Sequence, residues 1–183
     1  GKILKQIGGK SLLKIHLDRL KKCKTVSEII VATTPKPEDE IIYKKTLSWG
    51  FSASIGSELD VLDRFYQAVK FKNAKWIVRV TSDCPLIDPV LVDQVIDFVR
   101  NTNNDYGSNG LIENFPDGQD VEVFKFSALE QAWKNRSTDT PYDSAYQALI
   151  MASIVEKETG MVEERPEIAG VFVRRLNKRM RLQ

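Results

Sequence analysis

The sequence predicts an α/β fold, a mainly parallel sheet with flanking helices, followed by a C-terminal helical pair. Two observations carry this. Short β-branched runs alternate with amphipathic stretches from Ser11 to about Phe126. After about Trp133 the pattern turns all-helical and no strand-like run returns. Alternation at this spacing marks βαβ units, whose helical crossovers bring successive strands side by side in parallel.

Residues 11–23 set Leu12, Leu13, Ile15, Leu17 and Leu20 among Lys and Arg, which predicts an amphipathic helix with Ser11 as N-cap. Residues 28–33 (EIIVAT) are a short β-branched run, read as a buried parallel strand. Pro35 and Pro37 break the pattern, and residues 38–49 resume it as a helix ended by Gly50. Residues 51–55 form the second strand, 59–71 the third helix and 75–80 (KWIVRV) the third strand. Residues 89–100 form a fourth helix, with Pro89 at a position suited to a helix start. Residues 106–109 and 121–126 supply two further strand candidates. Residues 134–141 (KNRSTDTP) are a polar, turn-rich connection into two helical stretches, 143–159 and 163–178, with Gly160 between them as a C-cap. This shift sets a module boundary, giving an α/β domain over 1–133 and a helical segment over 134–183.

Composition narrows the function classes. The 183 residues suffice for one core, or one core plus an appendage. A formal charge of +2 is too small to argue for nucleic acid. No run of 18 apolar residues suggests a membrane span, and no secretory signal opens the sequence. The first residues, Gly-Lys-Ile-Leu, lack a Met, which suggests a fragment. Cys23 and Cys84 stand far apart without metal spacing and read as two reduced thiols of a cytoplasmic protein. His16 falls in a helical pattern and reads as a surface or core residue.

Ligands of such sheets bind at the carboxyl ends of the strands, which gives priority to residues 33–37, 56–60 and 81–85. Asp83 stands just past the strand 75–80. A carboxylate there can hold a hard cation at the sheet edge, because magnesium takes oxygen ligands through one or two carboxylates plus substrate phosphates. An Asp capping a turn is the structural alternative.

Four segments raise the first reading. They are Gly1-Lys2-Ile3-Leu4 with Gly8-Gly9-Lys10-Ser11-Leu12-Leu13, the run 56–65 (GSELDVLDRF), the run 79–89 (RVTSDCPLIDP) and the run 115–124 (FPDGQDVEVF). In order, they resemble the cytidylyltransferase family that includes spore-coat polysaccharide synthesis proteins and acylneuraminate cytidylyltransferases. The resemblance implies a Rossmann-like, nucleotide-diphospho-sugar transferase-like fold. It also implies transfer of CMP from CTP to a sugar or sugar acid, with release of pyrophosphate. On it, Lys2 and Asp83 are nucleotide-binding, Asp83 holds Mg2+, and Asp117 and Asp120 lie on the sugar side. Asp63 and Arg64 read as a surface pair at a helix start. The family's glycine-rich phosphate loop lies mostly upstream of its first matching stretch, and its later acidic VDxPEDL-like segment is not found here. The expected nucleotide site is therefore incomplete. The resemblance places the protein in the cytoplasm and allows a homodimer.

From Tyr142 onward a second resemblance begins. The run 146–160 (YQALIMASIVEKETG) and the stretch ending in Met180-Arg181-Leu182-Gln183 resemble endolytic murein transglycosylases of the YceG-like type. This implies a peptidoglycan glycan strand as substrate, a cell-envelope location and Glu158 as catalytic general acid/base. A glutamic acid raised in pKa by partial burial can protonate a glycosidic oxygen and then act as base. The third reading is a non-catalytic hybrid or designed chain.

Overall fold

The structure, a computed structural model, describes residues 2–110 and 115–135. It opens with a 3-10 turn at Lys2–Leu4 and a short antiparallel hairpin of β1 (Gln6–Ile7) and β2 (Lys10–Ser11). Gly8 and Gly9 form its tip at φ of 56° and 78°, the doubly positive geometry of a two-residue hairpin turn. Helix α1 (Leu12–Leu20) follows, and Ser11 Oγ accepts from the Lys14 backbone N–H as its cap. Leu13, Leu17 and Leu20 form its buried face.

Strand β3 (Ile30–Thr33), helix α2 (Glu40–Ser48) and strand β4 (Ser52–Ile55) make one βαβ unit. Its strands pair in parallel from Ile30 opposite Ser52 to Thr33 opposite Ile55. Helix α3 (Val61–Val69) starts at Asp60, whose side chain accepts from the Asp63 N–H. Strand β5 (Trp76–Arg79) leads through the Asp83 loop to α4 (Pro89–Thr102), with Pro89 in its first turn and the left-handed Asn103 ending it. Strands β6 (Tyr106–Ser108) and β7 (Glu122–Lys125) and helix α5 (Phe126–Lys134) complete the described chain.

The sheet is mixed where β7 enters it. Strand β7 lies between β5 and β6 and is antiparallel to both, so β5 and β6 run in the same direction. The crossover through α4 therefore leaves room for one strand, and β7 fills it on its return from β6. Its residues Glu122, Val123 and Phe124 are all buried.

Among the described residues the β3–β4 pair and the β5–β7–β6 sheet share no strand pairing. Apolar packing joins them. Leu20 and Cys23 pack with Ile87, Val92, Ile96, Val99, Val121 and Val123, and the partly buried Ile29 and Val78 lean on this cluster. A second cluster sets Leu62 of α3 against Ile77, Phe124 and Leu129. No described helix is long and apolar enough to cross a membrane. Apart from Lys134 and Asn135 at the end of α5, the expected helical segment 134–183 and its Glu158 lie outside the described residues.

Candidate active site

The loop after β5 is fixed by groups that are remote in sequence. Asp83 Oδ2 lies 2.8 Å from Lys2 Nζ, so the first turn of the chain meets the loop after β5. The Lys2 hydrogen bond holds the Asp83 carboxyl below its ordinary pKa, against a smaller opposing effect of burial. The same bond raises Lys2. Both groups are therefore charged at neutral pH, and both remain open to solvent, with side-chain exposures of 71% and 41%.

Behind Asp83, helix α1 supplies two anchors. His16 Nδ1 lies 2.7 Å from the Cys84 carbonyl oxygen, which can only accept, so Nδ1 carries the proton. His16 is 2% exposed, and burial holds its pKa below 6.5 against the opposing pull of Cys84 and Asp83. One turn later Arg19 Nε donates to the Ile87 carbonyl at 2.5 Å. Ile87 itself is fully buried. Thr81 Oγ1 meets Cys84 Sγ at 3.0 Å, and burial raises the Cys84 thiol above its ordinary pKa.

The turn before β7 lies against this loop. Gly118 has φ of 85°, and a Cβ there would sit 3.5 Å from Cys84 Sγ. Glycine is thus required by backbone conformation rather than by space. Asp117 is exposed on this turn, and its charge acts weakly on both Lys2 and Cys84. Asp120 is also exposed but lies against Gly110, where an added Cβ would come 3.1 Å from its Oδ1. Between these two acids, the Gln119 side chain bonds the backbone of Leu86 and Asp88.

At the ends of β3 and β4, Lys36 pairs with Glu58, and Thr34 Oγ1 donates to Asp39 Oδ2 at 2.5 Å. Arg64 Nη1 donates to the Ser57 carbonyl at 2.7 Å. A Cβ on Gly56 would come within 3.0 Å of the Arg64 backbone, so the glycine of the 56–65 motif is there for close approach. Asp63 Oδ1 accepts from Gln67 Nε2 at 3.0 Å and from Trp133 Nε1 at 2.7 Å. Both members of the expected surface pair thus have contacts well beyond each other. Arg79, opposite Glu122 across β5 and β7, forms a largely buried ion pair with it.

Among the described residues, no three or more His, Cys, Asp or Glu side chains gather into a metal cage. A single accessible carboxylate fits a magnesium ion that arrives with nucleotide phosphates and keeps waters in its other positions. His16, Arg19 and Gln119 are the site residues that motif reading does not reveal. Two belong to an ordinary amphipathic helix and one fills the variable position of PDGxD, so no spacing marks them.

Known proteins resemble this chain in sequence and in fold. A family described as cytidylyltransferase matches residues 1–161. An uncharacterized protein of Methanocaldococcus jannaschii is 45% identical over 147 residues, covering 77% of this chain and 59% of that protein. The spore coat polysaccharide biosynthesis protein SpsF of Bacillus subtilis is 33% identical over 110 residues, 58% of this chain and 46% of its own length. The chain thus spans about half the length of these curated relatives. A solved cytidylyltransferase from Leptospira borgpetersenii superposes with a TM-score of 0.77 at 30% identity, covering 86% of this chain and 66% of that one. A CMP:2-keto-3-deoxy-manno-octonic acid synthetase solved with CTP superposes at 0.60 with 16% identity, covering 82% and 78%, and this likeness concerns the fold. None of these matches is to a murein transglycosylase, and the family match runs past residue 133 to residue 161, taking in Glu158. The nucleotidyltransferase-like α/β fold and a family match over most of its length agree: the chain belongs to the cytidylyltransferase family.

Proposed function

We propose that this chain carries part of a site that transfers CMP from CTP to a sugar or sugar acid. The single observation behind this reading is the solvent-open Asp83–Lys2 pair past the carboxyl end of β5. In the reaction a sugar hydroxyl oxygen bonds to the α-phosphorus and loses its proton. The bond from that phosphorus to the bridging oxygen breaks, and pyrophosphate leaves. Lys2 exchanges Asp83 for a phosphate oxygen and offsets its charge as a compact ammonium group. Asp83, freed of that partner, would hold Mg2+. When bound, the ion supplies Lewis-acid screening of phosphate charge. Asp117 and Asp120, on a turn fixed to the Asp83 loop, accept hydrogen bonds from sugar hydroxyls. The reading takes the protein as cytoplasmic and leaves a homodimer open to direct mass measurement. Because the chain spans about half of its curated relatives, the base and sugar pockets draw on more than the residues named here.

Isothermal titration of the chain with CTP tests this. Binding heat is expected in millimolar magnesium, reduced on chelation and abolished in Asp83→Asn, an exposed substitution that leaves the fold intact. An unmutated chain that takes up no CTP at millimolar nucleotide overturns the reading.

A further inference from the structure

We infer that Gln119 is a positioning residue that locks the Asp83 loop to the turn bearing Asp117 and Asp120. Its chemical meaning rests on the nucleotide-transfer reading above, but its geometry stands alone. The Gln119 amide bonds the loop backbone at two points. Oε1 accepts from the Asp88 N–H at 2.8 Å, and Nε2 donates to the Leu86 carbonyl at 3.0 Å. A primary amide used in this way replaces one rung of a β-ladder between two segments that are not strands.

The backbone at Gln119 is itself held from behind. The Gln119 main-chain carbonyl accepts from Asn109 Nδ2 at 2.9 Å, and Asn109 Oδ1 accepts from the Val121 N–H at 2.8 Å. The Gln119 N–H donates to the Pro116 carbonyl at 3.2 Å. Val121 is fully buried. A continuous path therefore runs from the core at the start of β7, through Asn109 and Gln119, to residues 86–88. On the other side His16 and Arg19 hold the carbonyls of Cys84 and Ile87. The segment carrying Asp83 is pinned between α1 and the sugar-side turn.

The surroundings decide what this clamp is for. Leu86 is 72% exposed, Asp88 is exposed and Gln119 is only half-buried. Groups near water find new partners when a hydrogen bond is removed, so deleting the amide leaves global stability nearly untouched. Its effect falls on where Asp83 sits relative to Asp117. A reacting constellation must be held to within about 0.5 Å by supporting hydrogen bonds.

Gln119→Met keeps the side chain's length and removes both bonds. Three measurements on the full chain define the outcome. The thermal midpoint is expected to stay within a few degrees of the unmutated protein. The backbone amide resonances of residues 83–88, followed by NMR without nucleotide, are expected to shift and broaden as the loop loosens from the turn. Magnesium-dependent CTP affinity is expected to fall on the order of tenfold, less than the roughly hundredfold cost of a 1 Å misplacement. If Gln119→Met fails to fold, Gln119→Glu serves instead: it keeps the acceptor for Asp88, loses the donor to Leu86, and is expected to loosen the loop in the same sense. Unchanged amide resonances of residues 83–88 overturn the clamp whether or not CTP binds. Shifted resonances with no CTP uptake by the unmutated chain support the clamp and sink the nucleotide reading. Shifted resonances with unchanged CTP affinity reject the positioning role and leave that reading standing.

Discussion

His16 is the single histidine of the chain and is sealed beneath the Asp83 loop. Burial depresses its pKa below 6.5, so the native state holds it neutral while the unfolded chain still binds a proton there. More protons are bound on unfolding, and stability therefore rises with pH across this window. The contribution is complete above about 6.5 and is lost as pH falls through that value toward the depressed native pKa. The thermal midpoint should decline between pH 7 and pH 5, and His16→Asn, which keeps an N–H donor without a titrating ring, should flatten that slope. Equal slopes in the two proteins would remove His16 from the account. Its role was not legible in the sequence, because one polar residue among Leu13, Ile15 and Leu17 has the same pattern whether it caps a loop or faces water. Lys2 and Asp83 were legible, since their partners in the motif flank them on both sides. Gln119 was invisible for the opposite reason: only its folded neighbours give it a task.

At the level of elements, the start of α1 was readable at Ser11 and that of α4 at Pro89, whereas the caps Asp60 and Asp88 emerge from the structure. Ser11, Asp60 and Asp88 each accept from an N–H two or three residues on. The β1–β2 hairpin was not readable, because two-residue strands carry no alternation to detect. The reversed direction of β7 was equally hidden, since direction is set by the route of the connection and not by the strand's own residues. The seating of β6 on α4 depends on one glycine. A Cβ on Gly107 would lie 2.4 Å from Val99 Cγ2, well inside any real contact, and Val99 is 1% exposed with nowhere to retreat. Gly107→Ala should destabilise by about 1–3 kcal/mol, the usual cost of overpacking. Denaturant midpoints measure this, and the double substitution with Val99→Ala should recover part of the loss. A single variant as stable as the unmutated chain would show that β6 shifts freely.

The whole molecule is organised unevenly. Strand β7 is hydrogen-bonded on both sides, whereas β3 pairs with β4 alone and β5 with β7 alone among the described residues. Amide exchange opens local units with different free energies. Val123 and Phe124 should therefore exchange most slowly, and Ile30 to Thr33 markedly faster. Equal protection in β3 and β7 would contradict this ordering. The α/β class and the order of elements follow from periodicity, whereas the contact of Lys2 with Asp83 is a product of the fold. The division of the sheet does not, because pairing is a property of pairs of segments and no single run announces its neighbour. That division has a consequence for handling the protein. Residues 30–33 (IVAT) are uncharged and contain no proline. On the side away from β4, and among the described residues, β3 has no strand neighbour, and a strand edge of that kind is a template on which another extended chain can add. A lysine placed on that edge should lower aggregation on storage, measured by light scattering of concentrated solutions, and unchanged scattering would clear β3 of the part.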